Sequence, residues 1–341
     1  MTQMTKIITV DNTAELATWQ KELANAAKNP LQLLKLLDIS PESLPLSSLA
    51  RKQFPMLVPL PFVKKMKKGD INDPLLKQVL PISDEEVESS GYSLDPLQEH
   101  NSALPGLLHK YKSRVLLILK SGCAVNCRYC FRRHFPYQDN NINKKQLQEI
   151  ITYLQEHPEV NEVILSGGDP LMSKDDFLQY IINQLELLPQ LTRLRIHSRL
   201  PVVIPARITE QLCAMLKQSR FKVVFVLHIN HANEIDNPFT EAMSKLHQAG
   251  IQLLNQSVLL KGVNDNSQAL IELSEALFSA DILPYYLFLL DKVQGAQHFD
   301  IEEKTAQLLV KEMSEALPGY LLPKLSREIA GQKRKTIINS L

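Results

Sequence analysis

Short apolar runs alternate along the chain with longer segments whose apolar residues recur every three or four positions. The alternation begins near residue 113 and repeats six times. The apolar runs are 114–120, 162–167, 193–199, 223–229, 252–260 and 283–290. The segments with helical spacing are 144–157, 175–188, 209–218, 240–250, 267–280 and 302–317. Six strand–helix units of this kind predict an α/β protein with a parallel sheet covered by helices.

Residues 1 to 105 follow a different pattern. The segments AELATWQKELANAA and PLQLLKLLDI have helical spacing, and a proline-rich segment, FPMLVPLPFVKK, follows them. The stretch ISDEEVESSGYSLDPLQEHN is acidic and polar, which predicts a surface loop or a short helix. We therefore divide the chain into a helical N-terminal region, 1–105, and a main domain, 106–341.

Chemically distinctive residues cluster where the predicted strands end. The set comprises Cys123, Ser166, Gly167, Gly168, Asp169, His197, Ser198, Arg199, His228, Asn230, Asn255, Gln256 and Asp291. Barrel enzymes build their active sites at the carboxyl ends of parallel strands, which favours a partial (β/α)6 barrel of TIM-like type. The alternative is that strand ends are simply where polar residues occur. A dinucleotide-binding Rossmann fold is disfavoured, because no GxGxxG motif opens the first unit.

Composition and charge narrow the class of protein. Hydrophobic residues make up 44% and charged residues 22% of the chain, as in ordinary globular proteins. The formal net charge of +1 gives no strong attraction to nucleic acid or to an anionic membrane. The N-terminal sequence MTQMTKIITVDNTAELATW lacks the apolar core of a signal peptide, and no apolar run reaches the roughly 20 residues of a membrane span. Four cysteines, three of them clustered, do not make a disulfide framework, so we expect a soluble protein of the reducing cytoplasm.

The cysteine cluster lies in the segment SGCAVNCRYC. Cys123, Cys127 and Cys130 offer three thiolates from one loop, whereas a structural zinc ion normally takes four ligands. Cys213 falls on the apolar side of a predicted helix and is expected in the core. His134 keeps a Cys3His zinc site open as an alternative. A [4Fe–4S] cluster with three thiolates, and one iron open to another ligand, explains the spacing better.

The spacing CxxxCxxC after a first strand, with Tyr129 before the last cysteine, resembles the signature of the radical S-adenosylmethionine (SAM) enzymes. From about residue 105 to near the C-terminus, further segments resemble the lysine 2,3-aminomutase family within that group. They are RVLLILKSGCAVNCRYCFRRHFPY, VILSGGDPL, IHSRLPVVIPARIT, HINHANE, NQSVLLKGVNDN and LPYYLFLLDKVQGAQHF. The chain looks most like the short members, which make (R)-β-lysine for the modification of elongation factor P.

The resemblance implies a partial barrel of the radical SAM type, with a [4Fe–4S] cluster on the three cysteines and SAM at its open iron. The segment that matches the family's SAM-binding loop, where bare backbone permits close approach, comprises Ser166, Gly167, Gly168 and Asp169. His228 and Gln256 match further positions that hold SAM. Taken alone, the loop is a tight turn before a helix and His228 is an ordinary core histidine.

The resemblance also implies pyridoxal 5′-phosphate (PLP), which these enzymes attach to a lysine near the end of the domain. In the segment REIAGQKRKTIINSL the matching residue is Lys335. The segment departs from the family pattern, because only Gly331 remains of the family's glycine run. Lys333 is therefore an alternative for the lysine that carries PLP, and a solvated basic tail without this role is another. The positions that match the family's surroundings of PLP are Lys110, Tyr111 and Arg114.

For the substrate, the resemblance implies L-lysine. Arg132 matches the arginine that binds its carboxylate, and the planar fork of a guanidinium suits bidentate pairing. Asp291 and Glu328 match two acidic positions that bind the ε-ammonium, the second being aspartate in longer members. Taken alone, either acid is an ordinary surface charge.

We therefore predict a lysine 2,3-aminomutase, an isomerase that receives electrons from a protein such as a flavodoxin. Its product would pass to a β-lysine ligase and elongation factor P. One alternative is a radical aminomutase for another amino acid, although glutamate would need a basic residue in place of Asp291 and Glu328. The other is a non-catalytic iron–sulfur or zinc protein, which would leave SAM intact.

Overall fold

The computed structural model describes residues 17–100, 102–140 and 142–339. Two predictions concern residues 1–16, which lie outside the described residues. They are the absence of a signal peptide and the first turn of a helix. From residue 17 onward, the N-terminal region contains five short α-helices: α1 (Thr18–Ala24), α2 (Pro30–Leu36), α3 (Ser48–Gln53), α4 (Leu60–Val63) and α5 (Pro74–Lys77). In the described part of the chain, no helix combines the length and the apolar character that crossing a bilayer requires.

The main domain opens with a hairpin, β1 (Leu107–Tyr111) and β2 (Arg114–Lys120), and continues with helix α6 (Lys144–Glu156). Strand β3 (Glu162–Gly167) precedes α7 (Asp175–Glu186), and β4 (Arg193–Ser198) precedes α8 (Leu200–Val203) and α9 (Glu210–Gln218). The next pairs are β5 (Lys222–His228) with α10 (Asn237–Gln248) and β6 (Gln252–Val258) with α11 (Ser267–Ser279). The last elements are β7 (Leu283–Phe288), α12 (Glu303–Ala316), β8 (Lys324–Arg327) and β9 (Thr336–Ile337).

The nine strands form one sheet in their order along the chain. Strands β2 to β8 are parallel, while β1 and β9 pair antiparallel at the two ends. Because the described sheet ends at β1 and β9, it is an open, partial barrel, and the predicted fold class is confirmed. The six predicted strands and their helices lie within three residues of the observed bounds. The pattern did not predict β1, β8 or β9, which have five residues or fewer.

Local sequence fixes where the helices begin. Side chains of Asn143, Thr209, Asp236 and Asn266 accept hydrogen bonds from backbone N–H groups in the first turns of α6, α9, α10 and α11. Helix α6 then buries one apolar stripe with the spacing i, i+3, i+4, i+7, formed by Leu147, Ile150, Ile151 and Leu154. These helices pack their stripes on the outer face of the sheet, which leaves the inner face for a binding site.

The N-terminal region shares its core with the barrel. Trp19, Leu33 and Phe62 belong to the same cluster of buried apolar side chains as Leu117 of β2 and Phe225 of β5. Burial of each such side chain stabilises the fold by about 1.5–3 kcal/mol. The proposed boundary near residue 105 stays a prediction, but the two parts pack as one body around this core.

The acidic stretch of the N-terminal region, predicted to be a surface loop or a short helix, contains a short helix but is not entirely on the surface. It forms a short 3₁₀ helix, Ser83–Glu86, in which Glu85 is buried. The Glu85 carboxylate lies 2.5 Å from Arg128 and 2.7 Å from Arg133, both on the cysteine segment. The prediction was wrong for this residue because two buried guanidinium groups compensate the cost of burying its charge.

Candidate active site

One cavity of about 470 Å³ lies on the inner face of the sheet. Alternate residues of the strands point into it, as the two-residue repeat of a strand requires. Every site residue predicted from the sequence lines this cavity: Lys110, Tyr111, Arg114, Cys123, Cys127, Cys130, Arg132, Ser166, Gly167, Gly168, Asp169, His228, Gln256, Asp291, Glu328 and Lys335. The cavity reaches further than the carboxyl ends of the strands, since Arg114 is the first residue of β2.

The three clustered cysteines contribute free thiols to the cavity wall. Burial and the neighbouring thiols raise the pKa of Cys123 well above its usual value and that of Cys130 to about 11. A metal cation beside Cys123 and Cys130 would favour their thiolate forms, and three thiols from one loop fit an iron–sulfur cluster with one open iron. Among the described residues, no three His, Cys, Asp or Glu side chains are gathered to hold a single metal ion. Cys213 is buried in α9, as predicted.

The loop after β3 lies directly against the cysteine segment. The Gly168 N–H donates to the Lys120 carbonyl over 2.7 Å, and the Asp169 N–H donates to the Gly122 carbonyl over 3.0 Å. A Cβ on Gly168 would meet the Gly122 oxygen at 2.5 Å, and Gly167 has a φ of +121°. The two glycines are therefore required by the contact between the loops as well as by any approach of a ligand.

The carboxylate of Asp169 is already engaged within the fold. It accepts hydrogen bonds from the Ser198 hydroxyl at 2.8 Å and from the backbone N–H groups of Leu171, Arg199 and Leu200. Burial raises its pKa to about 6, against the opposing effect of these donors. Asp169 thus holds the loop after β3 to the end of β4, and the backbone of Ser166 to Gly168 faces the cavity beside it.

Lys335 and Glu328 form an ion pair of 2.6 Å between Nζ and Oε2. Strands β8 and β9 pair antiparallel, with Ser326 opposite Ile337 and Arg327 opposite Thr336. The next step of this hairpin places Glu328 opposite Lys335. The Tyr111 hydroxyl donates to the other oxygen of Glu328 over 3.1 Å. In contrast, the alternative Lys333 is exposed to solvent, so the geometry favours Lys335 as the lysine that carries a cofactor.

The residues around Lys335 offer suitable partners for PLP. The Lys335 ammonium lies 4.5 Å from the centre of the Phe288 ring, and the Arg114 guanidinium lies 3.9 Å from the centre of the Tyr111 ring. Arg114 and Lys110 line the same cavity as the amine, and an anionic phosphate requires cations of this kind. The Lys110 ammonium also pairs with the Glu99 carboxylate at 2.9 Å and lies 3.5 Å from Glu328. This donor set therefore fits a phosphorylated aldehyde cofactor.

Glu99 is a site residue that sequence reasoning missed. Its buried carboxylate binds Arg132 through Nε at 2.6 Å and Lys110 through Nζ at 2.9 Å. Burial would raise its pKa, but the two cations outweigh burial and lower the pKa to about 2. Arg132 Nη1 faces the Ser166 hydroxyl at 3.3 Å. Glu99 belongs to the polar stretch predicted to be on the surface, and that prediction was wrong here too.

Asp291 is the acid in the cavity that lacks a partner. Within the described residues its carboxylate accepts no hydrogen bond and forms no ion pair, although Glu328 and Lys335 are close enough to affect its charge. Burial and the repulsion from Glu328 raise its pKa to about 7. An acid of this kind is costly to ionise alone, so it favours a ligand that brings a cation.

A second buried network supports the cysteine loop. Arg199 donates from Nη1 to the Cys127 sulfur over 2.7 Å and to the Tyr129 hydroxyl. The Tyr129 hydroxyl also contacts His228 Nε2 at 2.9 Å, and the two rings stack. Burial, with Arg199 nearby, lowers the pKa of His228 to about 3, so His228 is neutral. The sequence singled out Arg199 only as a polar residue at a strand end.

The comparisons with known proteins agree with this geometry. Residues 117–274 match the radical SAM superfamily. An L-lysine 2,3-aminomutase of Escherichia coli (strain K12) is 52% identical over 98% of this chain and 97% of its own length. An L-lysine 2,3-aminomutase of Haemophilus influenzae is 53% identical over 95% and 96%. A crystal structure of a radical SAM methyltransferase from Sphaerobacter thermophilus has a TM-score of 0.48 at 13% identity, covering 65% of this chain and 68% of that chain.

Proposed function

Because the chain belongs to the lysine 2,3-aminomutase family of radical SAM enzymes, we propose that it converts L-lysine to (R)-β-lysine with the help of PLP. The observation that carries this proposal is the meeting of three elements in one cavity. They are the three cysteine thiols, the Lys335 amine and the unpartnered carboxylate of Asp291. A 2,3-shift on lysine requires a radical source, an amine that attaches an aldehyde cofactor, and an acid that binds the second ammonium of the substrate.

When bound, the [4Fe–4S] cluster and SAM supply a carbon radical, and PLP carries the nitrogen that migrates. Cys123, Cys127 and Cys130 would hold the cluster. The backbone of Ser166, Gly167 and Gly168 would hold SAM beside it, with Asp169 securing that loop and His228 and Gln256 facing it across the cavity. Lys335 would attach PLP, and Lys110 and Arg114 would bind its phosphate while Tyr111 lies against Arg114.

The cavity also separates the two charged ends of lysine. Arg132 would bind the carboxylate through Nη1, which Glu99 does not contact and which now faces the Ser166 hydroxyl and the Gly167 carbonyl. Asp291 would bind the ε-ammonium at once, because it has no partner in the described structure. Glu328 would join Asp291 at the ε-ammonium when Lys335 and Lys110 engage PLP, since both cations now lie beside its carboxylate.

We place the enzyme in the cytoplasm, supplied with electrons by a protein such as a flavodoxin and linked to a β-lysine ligase and elongation factor P. The resemblance of the sequence to the short members of the family supports this placement. Mass spectrometry of elongation factor P from cells without this gene would test it. An unchanged β-lysyl modification would contradict the link without affecting the reaction itself.

An anaerobic assay tests the reaction. The protein is reconstituted with iron, sulfide and PLP, given reductant, SAM and L-lysine, and its products are resolved on a chiral column. We expect (R)-β-lysine. Cleavage of SAM without β-lysine would indicate another amino acid as substrate, and intact SAM with a fully loaded cluster would indicate a non-catalytic iron–sulfur protein.

A further inference from the structure

Arg199 is held rigidly beside the cysteine loop. It follows the last residue of β4, and its side chain is only 7% exposed. One nitrogen, Nη1, donates to the Cys127 sulfur over 2.7 Å. The other, Nη2, donates to the Gln78 side-chain oxygen over 2.7 Å and to the Glu234 carboxylate over 2.9 Å. These contacts fix the direction in which the guanidinium points.

Among the described residues, Arg199 is the one cationic side chain that donates a hydrogen bond to a cysteine sulfur. A guanidinium stays charged at every pH at which a protein is folded. It therefore attracts electron density on the sulfur in both oxidation states of a bound cluster, and more strongly in the reduced state. Hydrogen bonds to cysteine sulfurs are one of the means by which proteins set the potential of such clusters.

We propose that Arg199 raises the reduction potential of the [4Fe–4S] cluster, as a positioning residue that acts through the Cys127 sulfur. This inference rests on the cluster site of the proposed function. In the step concerned, a low-potential one-electron donor is oxidised and the cluster core passes from 2+ to 1+. No bond forms or breaks and no proton moves, because the arginine is positive before and after.

The negative charge of Glu234 allows the direction of the shift in the cluster's reduction potential to be tested. Glu234 is fully buried, pairs with Arg199 and accepts hydrogen bonds from the Asn230 and His231 N–H groups. In Glu234→Gln the negative charge is lost and an amide oxygen remains for those backbone donors, while the amide nitrogen replaces the oxygen that accepts from Arg199 Nη2. Arg199→Met should thus lower the potential and Glu234→Gln should raise it, whereas general loosening of the fold would move both in the same direction.

The experiment is a redox titration of the reconstituted full chain, followed by the EPR signal of the reduced cluster. For Arg199→Met we expect about a tenfold lower ratio of reduced to oxidised cluster at a fixed potential, which is about 59 mV for a one-electron couple. The matched control is Arg207→Met, because Arg207 is equally buried but binds Asp175 and the backbone carbonyls of Leu171 and Ser173. It should leave the potential unchanged.

An unchanged potential in Arg199→Met with a full iron complement would overturn the proposal, as would an equal shift in the Arg207→Met control. If Arg199→Met does not retain iron, the double variant Arg199→Met/Glu234→Gln removes both buried charges together. Its potential should lie below that of Glu234→Gln alone, because the hydrogen bond to sulfur and the positive charge are lost, and equal potentials in these two variants would again reject the role. Failure of the unaltered protein to assemble a cluster would instead reject the proposed function.

Discussion

The Lys335 ammonium and the Glu328 carboxylate lie 2.6 Å apart on facing positions of the β8–β9 hairpin. Their separation of seven residues in the sequence is therefore a consequence of the turn between two short strands. The two residues also have different proposed roles, because Lys335 would attach PLP and Glu328 would bind the ε-ammonium of the substrate. Loss of the Lys335 ammonium would free one Glu328 oxygen, while the other oxygen still faces Tyr111 and Lys110.

Lys335→Ala should abolish covalent attachment of PLP, whereas Lys333→Ala should retain it. The reason is that Lys335 lines the cavity while Lys333 is exposed. Borohydride reduction of the PLP-loaded protein, followed by peptide mass spectrometry, identifies the modified lysine. Iron content should be normal in both variants. Modification of the 333 position in the unaltered protein would assign the role to the other lysine.

Asp291→Asn should weaken binding of L-lysine by about 2 kcal/mol or more and leave SAM binding nearly unchanged, because it removes the unpaired acid that would face the ε-ammonium. Calorimetric titration with each ligand measures both affinities. Norleucine, which lacks the ε-ammonium, serves as the control ligand and should bind equally to both forms. An equal loss of affinity for SAM and lysine would show that Asp291 acts on the whole cavity.

The pH dependence of stability should also change in Asp291→Asn. The pKa of Asp291 is raised to about 7 from an ordinary value near 3.8, so the folded state holds a proton that the unfolded state releases. Stability of the ligand-free protein should therefore fall as the pH rises from 4 to 7, and the variant should lose this contribution. Thermal unfolding at pH 5 and pH 8 measures it. A variant that is less stable than the parent at pH 8 would contradict the assignment.

Gly168→Ala should separate the loop after β3 from the cysteine segment, because the added methyl group would lie 2.5 Å from the Gly122 oxygen. We expect a loss of about 1–3 kcal/mol in the free energy of unfolding and weaker binding of SAM. Chemical denaturation and equilibrium dialysis measure the two effects. Gly319→Ala is the matched control, since a Cβ there meets nothing within 4 Å, and it should behave as the parent.

Cys127→Ala should abolish assembly of the cluster and cleavage of SAM, because two thiolates cannot replace three. Cys213→Ala controls for the loss of a cysteine, since Cys213 is buried in α9 away from the cavity wall. Iron and sulfide analysis after anaerobic reconstitution measures both. A full iron complement with turnover in Cys127→Ala would reject the cluster assignment.

The sequence was sufficient to predict the six strand–helix units, because each carries a clear period in its apolar residues. It was also sufficient to place residues such as Cys123 and Asp291 in one cavity, because parallel strands bring their carboxyl ends together. It could not predict the burial of Glu85 and Glu99. Their local sequence is polar, and their partners Arg128 and Arg132 lie 43 and 33 residues away. Nor could the sequence predict that Gln78 accepts a hydrogen bond from Arg199, which lies 121 residues later in the chain.

The buried position of Lys65 has a consequence for how the chain is made. Its side chain is 2% exposed, and its ammonium binds the carbonyls of Val202 and Glu234, which lie 137 and 169 residues later. At a synthesis rate of roughly 5–20 residues per second, these partners leave the ribosome roughly 7 to 34 seconds after Lys65. Through that interval the barrel that covers the apolar surface of Phe62 and its neighbours is incomplete. We expect the nascent N-terminal region to depend on chaperones until the fifth strand has been translated.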